Sequence, residues 1–172
     1  MNAPSVLVLN PPADKPVFRD HYCSSEAKST YLWQPLDLQI QALWLRSYGL
    51  TLTAIDSIAE GLSFEAVVKR VQAIQPSHVL MLTSIRSWKQ DRAICIRLRA
   101  LGVKRIVASG DFLRFKTGPF LEAKEYVDWI LTDFAVDGLA ESIREDRPIE
   151  PAICDFDANV ESLARELRKV SE

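Results

Sequence analysis

The chain has 172 residues, 48% of them apolar and 26% charged, with 21 Lys and Arg set against 23 Asp and Glu. That length and balance fit one globular domain with its own core and exclude a disordered chain. A net charge of −2, spread along the sequence, excludes a basic nucleic-acid footprint and a membrane-surface patch.

The first residues, MNAPSVLVLN, lack the basic start and long apolar run of a secretory signal. No apolar stretch approaches the roughly 18–20 residues of a membrane span. Cys23, Cys95 and Cys154 are odd in number, far apart and without CxxC spacing. They are expected as free thiols in a reducing cytoplasm, with neither a disulfide framework nor a zinc site.

Taken in chain order, the pattern alternates strand and helix. SVLVLN (5–10) reads as a first strand and stops at Pro11-Pro12, which can neither donate to a ladder nor extend it. More than twenty residues then pass before the next regular pattern, where strand-to-helix connections usually take about 2–6. Pro35 suits a first helical turn, Leu36, Ile40 and Leu43 share one face after it, and Gly49 supplies the stop. LTLTAI (50–55) is the second predicted strand.

Ser63 is a good N-cap for a helix carrying Phe64, Val67, Val68, Val71 and Ile74. HVLMLT (78–83) is nearly continuous in apolar residues, as in a strand covered on both faces. Ser87 and Gln90 have capping-box spacing before Ile94, Leu98 and Leu101, and Gly102 ends that helix. RIVAS (105–109) and VDWILT (127–132) are the fourth and fifth strands, followed by a helix with Val136, Leu139, Ala140 and Ile143. Pro148 and Pro151 mark a linker, and Val160, Leu163, Ala164, Leu167 and Val170 form one stripe on a last helix.

Strands separated by helices imply parallel pairing with right-handed crossovers. The predicted fold is therefore α/β, a three-layer sandwich with a five-stranded parallel sheet in the order 2-1-3-4-5, Rossmann- or flavodoxin-like. Residues 1–147 form the domain, and residues 148–172 the linker and C-terminal amphipathic helix.

Ligands of open parallel sheets bind outside the carboxyl ends of the strands. Those ends are Asn10-Pro11-Pro12, Asp56, Thr83-Ser84, Ser109-Gly110-Asp111 and Thr132-Asp133. Small hydroxyls and a glycine allow close approach of a large polar ligand; strand ends are also polar simply because helix caps follow them. No GxGxxG, GxxxxGK[ST] or GxSxG is present, which leaves dinucleotide, P-loop and hydrolase-elbow chemistry without support. Receiver chemistry fails too, because Asn10 and Thr83 stand where acidic residues would be needed.

NPP directly after the first strand, followed by RDHYCSSEAKSTYLWQPLDL (19–38), resembles the N-terminal cobalamin-binding domain of cobalamin-dependent radical-SAM enzymes. LTS (82–84) and ASGDF (108–112) stand where that family has small polar residues and a Gly-containing turn. The resemblance covers Val6 to Ile143. It implies cobalamin bound on this chain at the strand tips. Asn10, Pro12, Arg86 and Phe112 are taken as further binding residues. Thr83 and Ser84 would line the pocket of the nucleotide tail, Ser109 and Gly110 would let the backbone approach it, and Asp20, His21 and Tyr22 would lie along a corrin face.

Three features depart from the family. The DxHxxG motif that supplies an axial His to cobalt is missing, as it commonly is in radical-SAM relatives. No CxxxCxxC is present to hold a [4Fe–4S] cluster and S-adenosylmethionine, so both are expected only on a separate or missing catalytic module. TDFA (132–135) replaces a GEGE-like segment.

Several residues carry two readings. His21 is a cobalt ligand or a loop hydrogen-bond partner. Tyr22, Tyr31 and Trp33 stack beside a corrin or anchor the loop. Arg19 and Lys28 contact a tail or are solvated, Arg86 and Arg114 are better placed for a phosphate, and Trp44 and Trp129 are packing residues. The expected function is a cobalamin-binding module without turnover, serving radical-SAM methyl transfer or rearrangement, with no nucleic-acid or membrane partner. The alternative is an interaction or regulatory module with an empty crevice, docking through its C-terminal helix. A hydrolase using Asp56, Asp111 or Asp133 has no nucleophile–base pair in view.

Overall fold

Runs of Val, Leu and Ile bounded by turn residues make the sheet. The computed structural model describes residues 4–21, 24–26, 35–114, 122–123, 125–131, 138–147 and 153–155. Its strands are β1 (Ser5–Asn10), β2 (Val17–Arg19), β3 (Ser24–Glu26), β4 (Thr51–Asp56), β5 (His78–Thr83), β6 (Arg105–Gly110), β7 (Trp129–Leu131) and β8 (Ile153–Asp155). Its helices are α1 (Leu36–Ser47), α2 (Phe64–Ile74), α3 (Trp88–Ala100) and α4 (Leu139–Glu145).

The main sheet runs β4-β1-β5-β6-β7-β8. The first five of these are parallel and, numbered among themselves, follow the predicted order 2-1-3-4-5. A sixth strand, β8, pairs antiparallel with β7 in a stretch that the sequence assigned to a linker. The second and fifth strands also move slightly: β4 starts one residue later than predicted, and β7 keeps only the middle of 127–132.

β5 is buried along its whole length, as expected of a strand covered on both faces. On one face Leu7, Leu9, Val79 and Met81 pack with Val67 and Val71 of α2 and Ile94 and Leu98 of α3. On the other, Val6, Val8, Leu80 and Leu82 pack with Leu38 and Leu45 of α1 and Leu139 and Ile143 of α4. Of the two Trp residues read as core or rim packing, Trp129 is buried in the core and Trp44 is 39% exposed.

α1 is a helix where predicted, and the fold settles which of its faces is inward. Leu38, Gln41 and Leu45 face the sheet, while Leu36, Ile40 and Leu43 point outward. Both triplets have helical spacing, so periodicity alone could not choose between them. Ser63 caps α2 as expected, accepting from the Ala66 N–H at 3.2 Å. Gly49 takes φ 79° after α1, a left-handed position that glycine enters without a Cβ penalty.

Where the parallel strands begin, Asp146 ends α4 at φ 55° and gathers charge. Arg105 donates to it from Nε at 2.8 Å and Nη2 at 3.3 Å, and Lys104 Nζ lies at 2.8 Å. The Arg105 hydrogen bonds, foremost, hold its carboxyl at about 2. A depressed carboxylate stabilises the fold above its unfolded value, near 4, and this contribution is lost as pH falls through about 2. The partners are partly exposed, so the contribution is about 1 kcal/mol. Asp146→Asn keeps a residue tolerant of the left-handed region. We expect it to lower stability by about 1 kcal/mol at pH 7, a difference that shrinks as pH falls towards and below about 2, as measured by urea denaturation.

Candidate functional site

The first connection does not arch over open strand ends; it is fastened down on them. After Pro11-Pro12 it forms the short β2–β3 hairpin, with Arg19 paired to Ser24. The Arg19 side chain is wholly buried and makes an ion pair with Asp91 of α3, Nη2 to Oδ1 at 2.8 Å. Its Nε donates to Ser87 Oγ at 3.0 Å, and its Nη1 donates to Asn10 Oδ1 at 2.9 Å and to the Pro11 carbonyl at 2.8 Å.

Asp91 is equally enclosed. Its other oxygen accepts from Thr83 Oγ1 at 2.8 Å and from Ser87 Oγ at 2.6 Å. Burial pushes the Asp91 carboxyl up, and Arg19, Ser87 and Thr83 pull it back. Ser84 Oγ contacts Ser87 Oγ at 2.7 Å and accepts from the Ser87 N–H at 3.1 Å. The predicted capping box is therefore not formed: the Ser87 hydroxyl is used inside the network, and the Gln90 side chain turns to Asp14.

Two residues further on, His21 is pinned twice. Its backbone N–H donates to Asp37 Oδ2 of α1 at 2.6 Å, and its ring Nδ1 is in hydrogen-bond contact with Ser109 Oγ. Burial raises the Asp37 carboxyl, with the His21 N–H opposing it. Arg19 and His21 thus tie one segment to β1, α3, β6 and α1.

The structure brings together Asn10, His21, Thr83, Ser84 and Ser109 as buried groups at the strand ends. Pro12 is also buried and lines a neighbouring cleft of about 510 Å³ with Asp14, Ser63, Phe64, Lys89 and Gln90. Asp20 is half-buried and Arg86 exposed, whereas Phe112 packs at 5.1 Å between ring centres on Trp88, in the core. Tyr22, Cys23, Lys28, Tyr31, Trp33 and Asp133 lie outside the described residues, as do the TDFA segment and the stripe from Val160 to Val170. Asp56 holds Asn10 Nδ2 at 2.9 Å and the Ala59 N–H at 3.1 Å, and Asp111 accepts from the Ile85 and Phe112 N–H groups. Both carboxylates are spent on turns, which leaves the hydrolase reading unsupported.

The sequence reading missed Asp91 and Asp37, and took Ser87 only as a helix cap. For Asp91 a signal was present: it shares a helical face with Ile94 and Leu98, and a carboxylate on an inward face needs a buried partner. Cys95 neighbours it as an inert thiol, pushed by burial to about 12. Among the described residues no three His, Cys, Asp or Glu side chains converge as metal ligands, and no helix is long and apolar enough to cross a membrane.

No family model matches the chain, and no curated relative does. Solved structures do. A radical S-adenosylmethionine methyltransferase, TsrM from Kitasatospora setae, with cobalamin and a [4Fe–4S] cluster bound, matches with a TM-score of 0.62 and 15% identity over 90% of this chain. The same enzyme with its tryptophan substrate and a SAM analogue matches with a TM-score of 0.60 and 16% identity over 88% of this chain. The likeness is one of fold. This chain spans 29% and 28% of those two chains.

The small residues at the ends of β5 and β6 are used within the protein. Thr83, Ser84 and Ser109 each already hold a protein partner. A Cβ on Gly110 would collide with the Thr83 carbonyl, so the close approach that requires this glycine is that of β5 itself. With Arg19 and His21 in place, these groups serve as a footing for the first connection.

Arg19→Leu leaves Asp91 buried without its counter-charge. We expect a loss of about 3–5 kcal/mol at pH 7, seen as a fall in Tm of about 10 °C. Because Asp91 takes up a proton more readily folded than unfolded, that loss shrinks as pH falls towards 4. Arg19→Leu with Asp91→Leu is expected to recover about half of it. Gly110→Ala should cost about 1–3 kcal/mol through overpacking against Thr83, measured by chemical denaturation.

Proposed function

We propose that this chain is a cobalamin-binding module that serves a radical-SAM catalytic module, one that carries the [4Fe–4S] cluster and S-adenosylmethionine. The observation that carries this reading is the likeness of fold over 90% of the chain to an enzyme structure holding cobalamin. The NPP…RDHYC opening agrees with it. When bound, a corrin supplies the reactive cobalt; the protein's part is position and electrostatics.

In this reading the strand-end groups act from behind. Arg19, Asp91, Ser87 and His21 fix the first connection so that its outer side, beginning at Asp20, meets the ligand. The exposed Arg86 is assigned to a phosphate of the tail. Thr83, Ser84, Ser109 and Gly110 hold the platform and make no contact with the corrinoid. The methyl-transfer or rearrangement chemistry belongs to the catalytic partner, and this chain alone is expected to bind without turnover.

A second reading is favoured by the closed strand ends: an interaction module whose crevice is filled by its own loop. One experiment separates the two. On titration of the purified protein with hydroxocobalamin, a cobalamin module shifts the corrin absorbance and co-elutes with the corrinoid on gel filtration. An unchanged spectrum with no co-elution overturns the cobalamin reading and leaves the second. Arg86→Glu is expected to weaken retention without lowering Tm, since its side chain is exposed.

A further inference from the structure

α1 is apolar on two sides. Leu38 and Leu45 are buried against the sheet, while Leu36, Ile40, Leu43 and Trp44 on the other side are 53%, 36%, 68% and 39% exposed. A helix that is apolar around most of its circumference is one that is covered all round. Among the described residues none covers this outer side. We infer that a second copy of the chain covers it, α1 against α1, antiparallel across a two-fold axis. This goes beyond the functional reading above and does not depend on it.

The spacing of the outer residues carries the inference. Ile40, Leu43, Trp44 and Ser47 line an apolar hollow of about 440 Å³. They stand at i, i+3, i+4 and i+7, the four positions that form a hole for one side chain of a facing helix. Leu36, Ile40 and Leu43 follow one another at steps of four and three, the spacing of a seam between two helices. One stripe therefore supplies both the knob and the hole. A two-fold contact requires that, because the same patch has to meet itself.

Seating Ile40 of one copy in the hollow of the other fixes an antiparallel register. Ile40 then lies beside Leu43 of the second copy, and Leu36 beside its Ser47. The same register brings Asp37, in the first turn of α1, to Arg46 in the last turn of the second copy. By symmetry that ion pair forms twice. The helix dipoles agree, since each positive end then lies beside a negative one. A parallel pair would instead set Asp37 against Asp37 and Arg46 against Arg46.

The size of the contact bounds its strength. α1 has 12 residues and is about 18 Å long. An interface confined to two such helices falls below about 1,200 Å², the class of weak and reversible association. A monomer–dimer equilibrium at about micromolar concentration is the expected state, not an obligate dimer.

The test is sedimentation velocity on the full chain from about 1 to 300 μM. The parent is expected to pass from monomer to dimer across that range. Leu43→Glu should stay monomeric throughout and, at the lowest concentration, keep its Tm within about 3 °C of the parent, because Leu43 is exposed in the monomer. Ile40→Ser breaks the same contact more mildly and should also weaken the dimer. Arg46→Ala, which removes both ion pairs, should weaken it by about 3–10-fold. A parent that stays monomeric at the highest concentration overturns the inference, as does a dimer that survives Leu43→Glu. A larger loss of Tm in dilute Leu43→Glu also overturns it, since the chain itself then covers α1. A dimer unchanged or tightened by Arg46→Ala overturns the antiparallel register.

Discussion

The buried ion pair between Arg19 and Asp91 is the constraint on which the carboxyl end of the sheet depends. Two charges removed from water cost several kcal/mol each unless their remaining valences are filled. Here they are filled: Arg19 reaches Asn10, Pro11 and Ser87, and Asp91 reaches Thr83 and Ser87. A fully satisfied network is rigid because moving one member strands the others. That rigidity, more than net stability, is what such a pair contributes. It fixes the register of a long connection that would otherwise have many ways to cross the strand ends.

This changes what the small residues at β5 and β6 mean. Hydroxyls and a glycine at strand tips suit a ligand, and they equally suit a chain that folds back on itself. Thr83, Ser84 and Ser109 each bond to protein, and Gly110 is glycine because the Thr83 carbonyl leaves no space for a Cβ. The length of the first connection has the same explanation. It must travel far enough to place Arg19 beside α3 and His21 beside β6. A fold shared at 15% identity does not carry contacts with it, since function resides in the site rather than in the architecture.

The sheet was legible in the sequence because its signals are local. β1 and β5 came out with the predicted ends, since an unbroken apolar run bounded by Pro or by a helix cap admits few alternatives. The face of α1 was not legible. Apolar residues at 36, 40 and 43 and at 38 and 45 give two overlapping helical stripes, and tertiary packing chose the second. Nor was β8, whose three residues gain their strand character from pairing with β7 rather than from their own pattern. The network was half legible. Asp91 on an inward helix face announces a buried partner, but nothing local says that the partner lies 72 positions away at Arg19.

The two ends of the sheet solve opposite problems. At the end where the strands start, Asp146 meets Arg105 and Lys104 near solvent, so the ions keep much of their hydration and contribute modestly. At the carboxyl end the charges are dry, and the structure tolerates them only by enclosing them completely. There Arg19 and His21 of the first connection lie over the ends of β5 and β6. Entry between β5 and β6 would require Arg19 to leave Asp91, abandoning a buried carboxylate, whereas binding against the outside of the connection leaves every bond in place. The second route is far less costly.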